Sequence, residues 1–374
     1  MNKGLALYIH VPFCKQKCLY CDFPSFSGKE SLMLDYVKAL CKEIDNSNYD
    51  KINTIFIGGG TPTYLCLECL EYLKNSIDKL CKADDLEFTI EGNPDSLNKE
   101  KLKFFKSMGV NRLSIGLQAW QDRLLKNLGR VHTLEQFRES YLSARDIGFN
   151  NINIDLMFGL PGQSIEDWKE SLINVSNLKP EHISCYSLIV EDGTPFCNLD
   201  KLGKLNLPEE EDERKMYQFA VDFLKSIGYE QYEISNFSKP EFQCRHNLTY
   251  WNLNYYIGCG MGAHSYVNGI RYRNYEDIEK YICMINDNKS PVAEEHINSL
   301  KDDMEEFMFM GLRKIEGISI EEFNKRFNKD INKVYGIVIE KFLKNKLLKS
   351  DGKYIYLSPR GIELSNRVMC EFIL

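Results

Sequence analysis

The sequence predicts an α/β protein in which a partial (β/α)6 barrel of the TIM type precedes a smaller, winged-helix-like α+β domain. From residue 5 to about 190, six short β-rich runs alternate with helical segments, a pattern typical of βα units and a parallel sheet. Beyond about residue 290, Lys- and Glu-rich helices are followed by "LLKSDGKYIYLSPRG", in which two strand-like runs flank an Asp-Gly turn. The two sequence patterns therefore predict two domains of different fold class.

Each predicted helix has apolar residues at a spacing of three to four, and each predicted strand is a short β-rich run. The strands, in chain order, are "LALYIHV", "TIFIGG", "LEFTIEG", "RLSIGLQ", "INIDLMFGLP" and "HISCYSLIV". The helices between them are predicted at 29–46, 66–81, 98–107, 133–147 and 164–178. An acidic helix near 208–227 and a seventh strand, "YEQYEIS" at 229–235, extend the pattern. We divide the chain into a barrel core at 1–240, a connecting segment at 241–290 and a C-terminal domain at 291–374.

Composition limits the classes of protein. With 374 residues, 43% of them hydrophobic, the chain can bury a large core, and a net charge of -7 argues against nucleic acid as the main partner. The start, "MNKGLALYIHVPF", has no small-residue cleavage site, and no apolar run reaches the roughly 18 residues of a membrane span. We therefore expect a cytoplasmic protein with reduced thiols, in which clustered cysteines indicate metal binding or catalysis.

Three cysteines lie close together on the loop after the first predicted strand, in "YIHVPFCKQKCLYCDF". Cys14, Cys18 and Cys21 have the spacing C-x3-C-x2-C. Three thiolates can hold three irons of a cubane cluster and leave the fourth iron open to a small molecule. Zinc is the alternative, but it needs a fourth donor nearby, for which His10 is the candidate. The spacing favours an iron–sulfur cluster.

Polar and glycine residues mark the ends of the next predicted strands, where barrels of this kind carry their chemistry. "GGGTPTYL" ends the second strand, and its glycines let the backbone approach a ligand closely. Glu91, Gln118 and Asp155 lie at or near the ends of strands three to five. A polar group inside an apolar strand end is unfavourable unless something satisfies it. Each alone would be an ordinary core group, but together they predict a bound ligand.

The cysteine spacing, with an aromatic residue just before the third cysteine, resembles the radical S-adenosylmethionine (SAM) superfamily. That resemblance implies a 4Fe-4S cluster on Cys14, Cys18 and Cys21, and SAM chelating the open iron, where electron transfer yields a deoxyadenosyl radical. Residues 5–270 resemble, within this superfamily, the coproporphyrinogen dehydrogenase (HemN-related) branch. By this resemblance the residues that contact SAM or its cluster are Tyr8, Tyr20, Gly59, Gly60, Thr61, Glu91, Gln118, Arg130 and Asp155.

Two departures separate the chain from the coproporphyrinogen dehydrogenases of that branch. Their motif is C-x3-C-x2-C-x-C after a longer N-terminal arm, whereas here Phe23 takes the last cysteine's place and thirteen residues precede Cys14. The segment "CRHNLTYWN" at 244–252 instead resembles the H-N-x-x-Y-W signature of heme chaperones in this branch. This resemblance implies heme as a ligand, with His246 as an axial ligand and Tyr250 and Trp251 against the macrocycle. The alternative is a histidine that is simply packed.

We therefore expect a chaperone that holds a 4Fe-4S cluster, SAM and heme and passes heme to acceptor apo-hemoproteins, without coproporphyrinogen dehydrogenase activity. The alternatives are an oxygen-independent coproporphyrinogen dehydrogenase, another radical SAM enzyme of heme utilisation, and a regulatory module that uses the C-terminal domain. The sequence leaves open whether SAM is cleaved. Peripheral membrane association through the acceptors and a homodimer are further hypotheses.

Overall fold

One large sheet organises the fold in the computed structural model of the chain, which describes residues 4–47 and 51–374. Six strands run parallel in chain order: β1 (Leu5–Val11), β2 (Ile52–Gly59), β3 (Lys82–Gly92), β4 (Arg112–Gln118), β5 (Ile152–Phe158) and β6 (His182–Ser187). The helices that connect them are α1 (Met33–Asn46), α2 (Leu67–Asp78), α3 (Lys99–Ser107), α4 (Asp122–Asn127), α5 (Leu134–Asp146) and α6 (Ile165–Asn177). This alternation confirms the predicted α/β class, with boundaries that differ by a few residues.

Local sequence signals set several of these boundaries. Thr133 and Ser164 cap α5 and α6, and each forms reciprocal hydrogen bonds with the residue three positions later. One face of the strands supplies the apolar core against the helices, with residues such as Leu7, Ile55 and Ile90 fully buried. Because side chains alternate along a strand, the polar residues between these apolar ones point to the other face, inside the partial barrel.

The sheet continues beyond the six parallel strands. The next elements are α7 (Pro195–Lys201), α8 (Glu210–Ser226), β7 (Glu230–Gln231), β8 (Asn236–Ser238), α9 (Arg245–Trp251), β9 (Tyr256–Cys259), β10 (His264–Val267), β11 (Ile270–Asn274), α10 (Ile278–Asn286) and β12 (Val292–Ile297). β9 pairs in parallel with β1, and β10 to β12 extend that side as antiparallel strands. Among the described residues β7 and β12 form the two ends of the sheet, in keeping with a partial barrel.

The predicted seventh strand at 229–235 differs from the structure. Only Glu230–Gln231 is a strand there, and it pairs with β8, which runs antiparallel to β6. The backbone of the following residues bonds elsewhere: the Ile315 amide donates to the Tyr232 carbonyl and the Ile234 amide donates to the Arg313 carbonyl. The segment therefore joins the barrel to the C-terminal part of the chain instead of adding a parallel strand.

The C-terminal part has the predicted winged-helix-like arrangement. Its elements are α11 (Leu300–Gly311), β13 (Ile318–Ser319), α12 (Ile320–Phe327), α13 (Ile331–Lys344), β14 (Leu348–Ser350), β15 (Tyr354–Leu357), α14 (Pro359–Glu363) and α15 (Ser365–Cys370). The three strands form a separate antiparallel sheet in the order β13-β15-β14. A second hydrophobic core lies between this sheet and its helices, and it includes Leu253 and Tyr266 from the connecting segment. The division at 240 and 290 stays a proposal, because that segment contributes to both parts.

In the described parts of the chain, no helix has both the length and the apolar character needed to cross a bilayer.

Candidate functional site

A cavity of about 370 Å³ opens where the parallel strands end. Its walls combine the cysteine loop after β1 with the ends of β2 to β6, as barrel geometry requires. The predicted residues that line it are Cys14, Cys18, Tyr20, Cys21, Gly59, Gly60, Thr61, Glu91, Gln118, Arg130 and Asp155. Tyr8 is not among the lining residues.

The three cysteine side chains all face this cavity, and backbone hydrogen bonds shape their loop. The Cys14 amide donates to the Phe26 carbonyl at 2.9 Å, and the Cys21 amide donates to the Cys18 carbonyl at 3.2 Å. Burial raises the pKa of the Cys14 and Cys21 thiols, so metal binding there would displace protons. In residues 4–47 and 51–374, no three His, Cys, Asp or Glu side chains are grouped closely enough to hold a single metal ion.

His10 bears on the zinc alternative, because it is the fourth donor that the sequence offers. Its Nε2 lies 2.9 Å from the Pro24 carbonyl and must donate to it, so Nδ1 accepts from the Tyr8 hydroxyl at 3.0 Å. Burial lowers the pKa of His10 to about 4, which keeps the ring neutral. Both ring nitrogens are thus occupied. His10 supports the end of the cysteine loop, the Pro24 carbonyl fixes the tautomer of His10, and Tyr8 occupies its other ring nitrogen.

The glycines at the end of β2 allow the cysteine loop to approach. A Cβ atom on Gly60 would lie 2.9 Å from the Phe13 carbonyl oxygen and 3.0 Å from Cys14 Sγ. Gly59 has φ +110°, a left-handed conformation that favours glycine, and a Cβ there would lie 2.5 Å from the His10 ring. The sequence predicted these glycines for close approach to a ligand. The structure shows that they first permit close approach of the protein's own loop.

Arg130 is a partly buried cation without a carboxylate partner in the hydrogen bonds of the described residues. Its Nη2 donates to Asn93 Oδ1 and to the Gly116 carbonyl, each at 2.5 Å, and its Nη1 donates to Cys18 Sγ at 3.5 Å. Its Nε is buried and has no hydrogen-bond partner in the part of the chain that the structure describes. Because a buried charge is unfavourable unless it is paired, Arg130 suits an anionic group such as a thiolate or a ligand carboxylate.

Two acidic side chains face the same cavity. Glu91 accepts from the Gly59 amide at 3.2 Å, and burial together with the charge of Asp155 raises its pKa to about 8. Asp155 accepts from Ser114 Oγ at 3.2 Å and from Asn153 Nδ2 at 2.8 Å, and burial raises its pKa as well. The pair can accept hydrogen bonds from the amine or hydroxyl groups of a ligand.

Gln118 ends β4 in an unusual backbone conformation. Its φ is 71°, and the pairing with β5 shifts register between Gly116 and Gln118. A left-handed conformation is unfavourable for a residue with a side chain, and such strain gathers at functional sites. Here it accompanies a side chain that lines the cavity.

Several lining residues were not predicted. Asn93, Ser114 and Tyr186 also face the cavity. Asn93 follows Glu91 by two residues, and its side chain donates to Thr61 Oγ1 at 3.3 Å. Every second residue of a strand points to the same face. Ser114 is two residues before the lining residue Gly116 in β4, and Tyr186 is two residues after Ser184 in β6, so this alternation is the signal that could have found both.

His246 lies away from the cavity, at the start of α9. Its Nδ1 is 2.8 Å from Thr54 Oγ1, and its Nε2 is 2.8 Å from the Tyr250 hydroxyl. Its ring centroid is 5.1 Å from that of Phe56, and the residue is 1% exposed. Burial lowers the pKa of His246 to about 3, so the imidazole is neutral. In this conformation neither ring nitrogen is available to an iron.

The rest of the H-N-x-x-Y-W segment connects parts of the fold. Glu87 in β3 accepts from the Arg245 and His246 amides at 2.9 Å each, which holds the first turn of α9 against the barrel. Tyr250 packs edge-on against Tyr256, with ring centroids 4.7 Å apart. The Arg313 guanidinium lies 4.5 Å from the centre of the Trp251 ring. The heme contacts assigned to these residues stay predictions.

A cysteine loop over the open end of a six-stranded parallel sheet defines the class of protein. Residues 8–173 match the Radical SAM superfamily, and residues 298–364 match the HemN C-terminal domain. The fold is similar to that of coproporphyrinogen III oxidase (HemN) from Escherichia coli, with a TM-score of 0.87 over 100% of this chain and 91% of that chain. The identity of 21% makes this a likeness of fold alone.

Sequence relatives identify the family more closely. The chain is 40% identical to "Heme chaperone HemW" of Bacillus subtilis (strain 168), over 98% of this chain and 99% of the relative. It is 39% identical to the protein of that name in Lactococcus lactis subsp. lactis (strain IL1403), over 100% and 98% of the two chains. The chain belongs to the HemW family of the radical SAM superfamily. This confirms the resemblances to that superfamily, to its HemN-related branch and to the heme chaperones within the branch.

Proposed function

We propose that this chain is a heme chaperone that holds a 4Fe-4S cluster and SAM in the cavity and transfers heme to acceptor hemoproteins. Its relatives over the full length are named heme chaperones. The proposal of a cluster and SAM rests on one observation: three thiols, a glycine turn and the acidic residues Glu91 and Asp155 line the same cavity. The parallel topology brings these strand ends together, but a purely structural role gives no reason for thiols and carboxyl groups to stand at so many of them.

Cys14, Cys18 and Cys21 would ligate the cluster. Three thiolates suit a cubane with one open iron, and the surrounding hydrogen bonds suit thiolates. The Thr61 hydroxyl donates to Cys14 Sγ, and Arg130 donates to Cys18 Sγ, each at 3.5 Å. Such contacts stabilise the charged form of a ligand and fix its orientation. The two donors therefore favour the metal-bound state of the loop.

The other lining residues would hold SAM. Arg130 is the cation for its carboxylate, while Glu91, Asp155 and Gln118 offer acceptors for its amine and hydroxyl groups. Gly59, Gly60, Thr61 and Tyr20 would contact SAM or its cluster. Tyr8 would act as a positioning residue, through His10 and the cysteine loop. When bound, the cluster and SAM supply one-electron chemistry, and the chain's own residues bind and orient them.

For heme, the family signature assigns His246 as an axial ligand, with Tyr250 and Trp251 as contacts. That role requires the imidazole to leave both Thr54 and Tyr250, since each ring nitrogen is within 2.8 Å of one of their hydroxyls. The axial-ligand role of His246 therefore depends on a rearrangement that frees one ring nitrogen.

Anaerobic reconstitution tests the proposal. The purified chain is loaded with iron and sulfide, analysed for both, titrated with hemin, and then mixed with an apo-hemoprotein such as apomyoglobin. We expect about four irons per chain, a Soret band that saturates, and transfer of heme to the acceptor. A flat Soret region would count against the chaperone. Protoporphyrinogen formed from coproporphyrinogen with dithionite and SAM would favour the dehydrogenase alternative.

A further inference from the structure

Three large apolar side chains are exposed together at the mouth of the cofactor cavity. Phe23 is 60% exposed, Ile189 is 64% exposed and Tyr186 is 38% exposed, and all three line the cavity. Single exposed apolar residues are normal, but a group around a functional cavity indicates a ligand with an apolar surface. We refer to Phe23, Tyr186 and Ile189 as the apolar rim.

The rim joins two distant parts of the chain. Phe23 belongs to the cysteine loop, whereas Tyr186 lies in β6 and Ile189 just after it. The loop holds the main chain of Phe23, because the Phe23 carbonyl accepts from Lys17 Nζ at 2.8 Å and from Ser25 Oγ at 3.3 Å. The rim is therefore a built feature of the mouth.

We propose that heme binds across this rim, with its macrocycle on the apolar side chains and a propionate at Lys17. This inference rests on the proposed function, which supplies heme as the cargo. Heme combines a flat apolar ring with two carboxylates, and the mouth offers both complements. Lys17 lines the cavity, donates to a neutral carbonyl, and forms no ion pair with the residues that the structure describes.

Charge at the mouth limits which residue can hold a propionate. Asp22 and Glu191 line the cavity too and would repel a propionate. The cations among the lining residues are Lys17 and Arg130, and Lys17 is the one left for heme because Arg130 is assigned to the SAM carboxylate. SAM is a poorer match for the apolar rim, because SAM is polar and charged. The residues that complement SAM are polar ones, such as Arg130 and Glu91.

The rim predicts that the porphyrin ring, and not the iron, supplies most of the affinity. A site based on His246 predicts the reverse, because axial ligation requires a metal. Iron-free protoporphyrin IX is therefore a probe that separates the two sites. We expect it to bind the reconstituted chain within a few fold of hemin.

The test compares Phe23→Ser and Ile189→Ser with Ile337→Ser in the full-length, cluster-loaded protein. Ile337 is a matched control, because it is 88% exposed on α13, outside the cavity. Dissociation constants for hemin and protoporphyrin IX are measured by absorbance and by fluorescence quenching, with iron content on the same preparations. We expect each rim variant to bind both porphyrins about tenfold more weakly, from the loss of one buried apolar side chain. The control should match the unchanged protein.

Each outcome has a separate meaning. Rim variants that bind both porphyrins as tightly as the control overturn the rim and leave the proposed function standing. Strong hemin binding with negligible protoporphyrin binding, lost in His246→Leu, places the heme at His246 and also overturns the rim. An unchanged protein that binds neither porphyrin refutes the proposed function itself. If Phe23→Ser loses iron, only Ile189→Ser is compared with the control, because Ile189 is outside the cysteine loop.

Discussion

The Nδ1 atom of His246 lies 2.8 Å from the hydroxyl oxygen of Thr54, which ties helix α9 to the second strand of the barrel. Both residues are buried, and Thr54 lies on the interior face of β2. The contact gives the histidine of the family signature a structural role, whatever else it does. It also defines which experiments separate that role from heme ligation.

Substitution of His246 by Leu should reduce stability. The change leaves the hydroxyls of Thr54 and Tyr250 without their imidazole partner, and a buried unsatisfied group costs about 1–3 kcal/mol. We expect a lower free energy of unfolding with hemin affinity retained in the folded protein. Denaturant unfolding and hemin titration on one preparation check both. The double variant His246→Leu, Thr54→Val should recover part of the loss, because it removes one of the unsatisfied hydroxyls. Unchanged stability with lost heme binding would support the axial ligand instead.

The buried His246 should also make stability depend on pH. Its pKa is lowered to about 3 from an ordinary value of 6.5, so the stability that its neutral form contributes is complete above pH 6.5. That contribution is lost as the pH falls toward 3, by about 1.4 kcal/mol per pH unit. Glutamine cannot take up this proton. From pH 7 to pH 5 the unchanged protein should therefore lose roughly 2 kcal/mol more than His246→Gln. Parallel unfolding profiles for the two proteins would contradict this.

Loss of any one cluster thiol should abolish the cluster. In Cys14→Ala, Cys18→Ala or Cys21→Ala two thiolates remain, too few to hold a cluster that already lacks one protein ligand. Iron and sulfide analysis after anaerobic reconstitution measures the loss. Cys66→Ala is the control, since Cys66 is an exposed cysteine outside the cavity. About four irons per chain in a cluster variant would disprove the ligand assignment.

A methyl group on Gly60 should displace the cysteine loop. Its Cβ would lie 2.9 Å from the Phe13 carbonyl oxygen, closer than real Cβ contacts allow. We expect Gly60→Ala to fold but to retain less than roughly half of the iron after reconstitution, because the cysteine ligands must be held in a defined geometry. Gly336→Ala on α13 is the matched control, since an added Cβ there meets no atom of the described residues within 4 Å. Equal iron content in the two variants would show that the loop adapts.

Replacement of Phe23 by Cys should not create coproporphyrinogen dehydrogenase activity. That chemistry needs the substrate held within reach of the radical, and a single thiol at the mouth supplies no such positioning. The variant also loses an apolar side chain of the rim, so we expect weaker porphyrin binding. Product analysis after anaerobic incubation with coproporphyrinogen, dithionite and SAM measures the activity. Turnover by this single variant would mean that one thiol separates the two functions.

The sequence by itself determined the order of the barrel elements and the residues of the cysteine loop. The sequence patterns of strands and helices are periodic and local, so they can be recognised without knowledge of tertiary contacts. The same holds for the ends of strands, where Glu91 and Asp155 stand out as polar residues in apolar runs. Parallel topology then brings these ends to one edge, which explains why the predicted residues share a cavity.

Only the tertiary structure decided the surroundings of His246, the course of the segment after Gln231, and the placement of Phe23 and Ile189 at one cavity. A local pattern does not show that Thr54, nearly two hundred residues earlier, occupies an imidazole nitrogen. It also does not show that the backbone of Tyr232 and Ile234 bonds to the C-terminal part instead of to β6. The physical reason is common to all three. Hydrogen-bond partners and exposure depend on which distant elements pack together, and packing is a property of the whole chain.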